Sequence, residues 1–176
     1  MEVLRDINKM DSLNNIPESF ELMRSWHKES FDEPSLFKAK RETYRLMQYS
    51  SFETIDFYRI EKREDSYYAI LKEFDTFDYD LSFFKEKEIS KEIWEKIIDN
   101  LEENNFWITS RSSCKNVQFL EGTYFLIEGY KPVKDKCTLK NYHSISCTGQ
   151  VNSTLSSMCN IFMILMKEET NGKNEK

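Results

Sequence analysis

Thr123-Tyr124-Phe125-Leu126-Ile127-Glu128-Gly129-Tyr130, announced by Glu121-Gly122, is the most strand-like run of the chain. Aromatic and β-branched side chains fill it, and both alternating faces of Tyr124–Ile127 are apolar, which predicts a strand covered on each side. A second run, Thr138–Ser146, reads as its neighbour. The intervening Lys131–Lys136 holds Pro132, which cannot donate to a ladder and so belongs in the connection. The cover for this pair comes from two helical patterns. Ser90 can cap a helix whose stripe is Ile93, Trp94, Ile97, Ile98 and Leu101, with Ile89 and Trp94 at the positions of a hydrophobic staple. Leu155, Met158, Cys159, Phe162, Leu165 and Met166 mark a C-terminal helix apolar enough to be largely buried. The first strand is therefore expected at the centre of the sheet, between these two helices.

Working outward toward the N-terminus, Thr43–Tyr49, Thr54–Glu61 and Ser66–Phe74 read as strands separated by short polar breaks, an antiparallel meander. A fourth strand is expected over Leu81–Lys87. Pro17 can open an N-terminal helix, where its missing N–H costs little, and Phe20, Met23 and Trp26 give it one apolar face. It should fade near Glu29. His27 adjoins that face and reads as a packed histidine. The expected architecture is a single α+β domain over 16–166. It has a mainly antiparallel sheet of about six strands, a middle helix, a C-terminal helix and an N-terminal helix. Residues 1–15 are expected to form a flexible arm and 167–176 a disordered tail.

Composition limits the function classes. The 176 residues carry a net charge of −6, with 32% charged and 14% aromatic residues. An acidic chain lacks the positive field that general nucleic-acid binding uses. With only two alanines, Ala39 and Ala69, the core must be built from rings and from Ile, Leu and Met. The N-terminus lacks an apolar signal-peptide region, and no run approaches the ~20 apolar residues of a membrane helix. A cytoplasmic, membrane-free protein is the expectation, with its four cysteines reduced. In an oxidising setting Cys137 and Cys147 could instead bridge adjacent strands.

No cofactor or catalytic motif emerges. There is no Gly-rich phosphate loop, GxSxG or HExxH. Cys137, His143 and Cys147 invite a zinc reading, but their spacing matches no standard structural site and a fourth ligand is missing unless Asp135 serves. Cys114 has Arg111 nearby but no histidine adjacent in sequence to activate it. Asp75, Asp78 and Asp80 lack the glycine and terminal glutamate of a calcium loop. Glu121 and Glu128 are too far apart on one strand to act as a glycosidase pair. Glu128 is the residue a core strand does not explain. Tyr142 or His143 on the next strand is its natural hydrogen-bond partner.

The order of these elements resembles that of a loose group of small uncharacterised bacterial α+β proteins. The likeness spans residues 43–166. It rests on Glu121-Gly122, the strand ending Ile127-Glu128-Gly129, Tyr142-His143, the segment Tyr44-Arg45-Leu46, and Trp107 after the middle helix. The chain departs from the group at Ser146-Cys147, where the others carry a tryptophan. The resemblance implies a fold and, at most, a polar site of Glu128, Gly129, Tyr142 and His143; it implies no activity.

Three functions follow as expectations. The first is a non-enzymatic protein-binding module, most concretely an immunity-type inhibitor of a basic bacterial toxin. Its contacts would be Tyr67, Tyr68, Asp75, Asp78, Tyr79 and Asp80. The second is a small enzyme using His143 with Cys147 or Glu128. The third is a structural subunit of a homo-oligomer.

Overall fold

The computed structural model describes residues 31–34, 36, 39–50, 54–109, 123–132, 142–148 and 156–164. The expected N-terminal helix with His27, the arm, the tail, Arg111, Cys114, Glu121, Asp135 and Cys137 lie outside the described residues. The strands are β1 (Thr43–Ser50), β2 (Thr54–Arg63), β3 (Ser66–Asp75), β4 (Leu81–Ile89), β5 (Thr123–Tyr130) and β6 (Tyr142–Thr148). The helices are α1 (Lys91–Glu103) and α2, described over 156–164, with a 3₁₀ turn at Phe106–Ile108 after α1. The strands form one antiparallel sheet in the order β4-β3-β2-β1-β5-β6.

Local chemistry explains the sharpest features. Arg63 pairs with Ser66 across a two-residue loop in which Glu64 takes φ 54°, the left-handed backbone that such tight hairpins need. The longer β3–β4 turn is held by its own aspartates: Asp75 Oδ1 accepts from Phe77 N at 2.7 Å and Asp78 Oδ1 from Asp80 N at 3.0 Å. Ser90 caps α1 as expected, its hydroxyl accepting from Ile93 N at 3.2 Å. Asn104 takes up the other end, donating through both its backbone N–H and Nδ2 to Asn100 O. Trp94, Ile97 and Leu101 are the buried face of α1.

The two faces of the sheet are covered differently. Tyr44, Leu46, Tyr58, Ile60, Ile127 and Ile145 belong to one core with Trp94, Ile97 and Leu101 of α1 and Met158 and Phe162 of α2. Both helices therefore pack on the same face. The opposite face presents Met47, Ile55, Phe57, Phe74 and Leu126 to Phe31 and Leu36. A short strap, residues 31–34 and 36, thus covers the second face. Phe31 is its anchor, with ring centroids 4.9 Å from Phe74, 5.1 Å from Phe57 and 5.8 Å from Tyr79. Burying a ring of this kind stabilises by about 1.5–3 kcal/mol.

This arrangement corrects two expectations. β5 is next to the β6 edge rather than central, because β1 pairs with it from Thr43↔Tyr130 to Ser50↔Thr123 and takes the middle of the sheet. Nor is β5 held between two helices; its second apolar face answers to the strap. The expected fourth strand is present as β4, and its residues are exposed on both faces except Lys85, which is half-buried, and Ile89, which is buried.

Candidate functional site

Two features stand apart from ordinary packing: a buried charge network on the strap face, and an aromatic hairpin at the β4 edge.

The network is built by register. Arg45, Glu128 and Ser144 are cross-strand neighbours on β1, β5 and β6, so their side chains share the strap face. Arg45 Nε donates to Glu128 Oε2 at 2.9 Å, and Tyr142 OH donates to Glu128 Oε1 at 2.7 Å. Arg45 also donates through Nη1 to Glu33 Oε2 at 3.1 Å and to Pro34 O at 3.0 Å. Glu33 draws in two further cations, Lys72 Nζ at 3.0 Å and Arg59 Nε at 3.6 Å. Arg59 continues to Glu61, Glu61 to Arg63, and Arg63 to Glu86 on β4 in a two-pronged pair at 2.7 and 3.0 Å. Alternating charges therefore run from Glu128 on β5 to Glu86 on β4, beneath and beside the strap.

Burial and charge compete at each member. Desolvation pushes the Glu33 carboxyl up, but Arg45, Arg59 and Lys72 together outweigh it and hold it below the ordinary range. Burial lowers Arg45, while Glu128 and Glu33 raise it further. Burial and then the Glu128 charge push the Tyr142 phenol well above its usual value. Tyr142 therefore stays a donor, and both carboxylate oxygens of Glu128 are engaged. With Glu128 only 4% exposed, the arrangement acts as a fastener between strap and sheet.

His143 lies on the other side. It is paired with Gly129 in the ladder, so it faces the helices while Glu128 faces the strap. Its Nε2 sits 3.0 Å from Thr109 O, and its ring stands edge-on to Phe106 at 5.1 Å. Gly129 is what admits that ring: a Cβ there would lie 2.7 Å from Phe106 Cε1 and 3.0 Å from Tyr44 Cδ1. The expected polar site of Glu128, Tyr142 and His143 is thus split. The structure joins Glu128 to Tyr142 and separates His143 from both. Cys147 shares the helix face with His143 but is four residues along the strand, about 13 Å away, and is disulfide-bonded. Since Cys159 is free, the partner of Cys147 lies outside the described residues. A bonded Cys147 is neither a nucleophile nor a zinc thiolate, and the bond runs against the expectation of reduced cysteines in a cytoplasmic chain. Cys159 is a buried thiol pushed up to about 12 by desolvation, consistent with the core role its spacing predicts. Among the described residues, no group of three His, Cys, Asp or Glu side chains converges as a metal ion requires.

The expected partner-binding residues also divide. Tyr67 packs against Trp94 at 5.0 Å, and Tyr68 lies under the Arg63 guanidinium at 4.2 Å. Asp75, Asp78, Tyr79 and Asp80 are at the far end of β3, about 26 Å from Tyr67. Only the second group belongs to a distinctive surface. Phe77 is 85% exposed at the tip of the turn, and Tyr79, Leu81, Phe83 and Phe84 continue the exposed apolar side chains along the edge. Sequence reasoning had singled out Tyr79 and the acids but not these apolar neighbours. An aromatic strand reads as core from composition alone, and only the sheet order places it outside.

Comparison with known proteins finds no matching family model and no significant match among curated proteins. Among the described residues, no helix is long and apolar enough to cross a membrane.

Proposed function

We propose that this protein is a non-enzymatic binding module that engages a basic protein partner through the β3–β4 hairpin and the β4 edge. The carrying observation is the concentration of Phe77, Tyr79, Leu81, Phe83 and Phe84 in the open beside Asp75, Asp78 and Asp80. Soluble proteins seldom leave contiguous aromatics exposed without a use for them. Aromatic anchors rimmed by one sign of charge are the pattern of an interface that steers and then grips an oppositely charged partner. An inhibitor of a basic bacterial toxin is the most concrete form of this reading. Nothing in the site geometry favours an enzyme, because Glu128, His143 and Cys147 do not converge.

The test is capture with the protein as bait, using its native host lysate or a co-expressed neighbouring gene product. A stoichiometric partner should bind wild type, weaken with salt and with Asp78→Asn/Asp80→Asn, and be lost with Phe77→Ser/Phe84→Ser. A partner indifferent to the phenylalanine changes, or no partner at all, would sink the proposal. A homo-oligomer that buries these phenylalanines, seen by light scattering, would favour the structural-subunit reading instead.

A further inference from the structure

We infer that the strap sets the shape of the β3–β4 turn, with Phe31 as the positioning residue, and so controls how the partner surface is presented. This rests on the partner reading above and gives that surface a means of control. The turn borders the strap. Phe31 is 1% exposed, and its ring meets Phe74 near the end of β3 and Tyr79 within the turn, edge-on in both cases, at 4.9 and 5.8 Å. Tyr79 is one of the exposed rings assigned to the partner, so the strap backs a ring that still meets solvent. Tyr79 also holds φ 60°. That left-handed backbone is costly for a bulky side chain and persists where the surroundings hold it. Inside the turn, Tyr79 N donates to Asp75 O at 3.1 Å and Asp75 N to Asp80 O at 3.0 Å. Phe31 adds an apolar contact to these short-range bonds, and it comes from a different part of the chain.

The strap is itself anchored away from the turn. Lys72 Nζ donates to Phe31 O at 3.4 Å and to Asp32 O at 3.0 Å, and it lies 3.0 Å from Glu33 Oε1. Three consecutive strap residues thus wrap one ammonium, and the chain takes a left-handed φ of 47° at Asp32 to do so. Glu33 then ties the strap to Arg45 and Arg59. Lys72 is the cross-strand neighbour of Phe57 on one side and of Phe84 on the other. Its clamp therefore lies in the same row as an exposed ring of the partner surface. A change that loosens the charge network reaches the turn through Phe31, with the turn's own residues untouched. A seated strap presents Tyr79 in one shape, and a loosened strap presents it in several. Affinity for the partner then falls with the fraction of molecules whose turn is competent to bind.

Amide hydrogen exchange on the full chain reads this coupling without a partner. Phe31→Leu keeps an apolar side chain on the sheet but removes the ring. The Asp75 and Tyr79 amides should then exchange at least ~10-fold faster, while Ile97 and Leu101 in α1 stay within ~2-fold of wild type. The Tyr79 ring resonances should move in the same variant. Glu33→Gln alters neither ring, yet it should speed the same two turn amides at least ~3-fold. Unchanged exchange at Asp75 and Tyr79 in Phe31→Leu overturns the inference. So does equal acceleration in α1, since Phe31 then serves overall stability alone. An effect of Phe31→Leu that Glu33→Gln does not share overturns the strap as the lever. A captured partner should bind Phe31→Leu at least ~3-fold more weakly than wild type. Undiminished binding overturns control of the surface while leaving the partner reading standing. Failure to capture any partner, with the exchange result intact, leaves the strap's hold on the turn standing and counts against the proposed function instead.

Discussion

The sheet ends in two edges of opposite character. β6 is built inward: Tyr142, Ser144, Ile145 and Cys147 are buried, Tyr142 is bonded to Glu128, and Cys147 is disulfide-linked. β4 is built outward, with Leu81 and Phe84 more than half exposed. Both are short antiparallel strands, but β4 carries two phenylalanines and the charged run Lys85–Glu88, whereas β6 carries no Lys, Arg, Asp or Glu. Their burial differs as sharply. The difference teaches that an edge position does not by itself decide exposure: packing on its faces buries β6, while β4 leaves its phenylalanines in the open.

If the closed half of the sheet is held by its charges, Arg45→Ala should produce the largest effect. It takes the arginine from buried Glu128 and one of three cations from buried Glu33, and a loss of about 3–5 kcal/mol is expected by urea denaturation. A loss below about 1 kcal/mol, the level of an exposed pair, would show that the network does not fasten the strap. Gly129→Ala comes next. It forces a methyl group against Phe106 and Tyr44 and should destabilise by about 1–3 kcal/mol, with near-ultraviolet dichroism reporting disturbed rings.

Acid should act on the same half in a graded way. The Glu33 carboxyl is held below its unfolded value, so its contribution is complete above the unfolded pKa of about 4.3 and fades as pH falls toward the folded one. Thermal melts should therefore steepen their decline below about pH 4.3 in wild type and less so in Glu33→Gln. At the open edge the expected effect on stability is smallest. Phe84→Ser should fall within about 0.5 kcal/mol of wild type. A larger loss would mean that β4 is also structurally engaged, and the contrast between the edges would narrow.

Much of this architecture was legible in the chain. The Ser90 cap, the stripe Ile93 to Leu101 and the β1–β3 meander come from local rules, and local rules are what sequence displays. The strap was not legible, because Phe31, Glu33 and Leu36 surround Pro34 with no period of 2 or 3.6. The network was half legible: Glu128 was conspicuous in an apolar strand and Tyr142 was its foreseen partner. Arg45 is 83 positions from Glu128, and only the β1–β5 pairing brings them together. The arginine inside Tyr44-Arg45-Leu46 was the available signal, as buried cations need a counter-charge. The assignment of His143 to the same site failed for a simpler reason. Neighbouring residues on a strand point to opposite sides, so Tyr142 and His143 never share a face.

That alternation gives β5 an unusual sensitivity to length. Glu128 and Gly129 are consecutive, one answering an arginine beneath the strap and the other making room for a ring beside the helices. Deleting one residue between Thr123 and Ile127, or adding one, would exchange their sides. The carboxylate would then meet Phe106, and the arginine would keep Glu33 but lose its partner on β5. Single substitutions along β5 should range from harmless to severe, whereas any change of frame within the strand should be intolerable at every site. A deletion scan would therefore read uniformly where a point-mutation scan alternates.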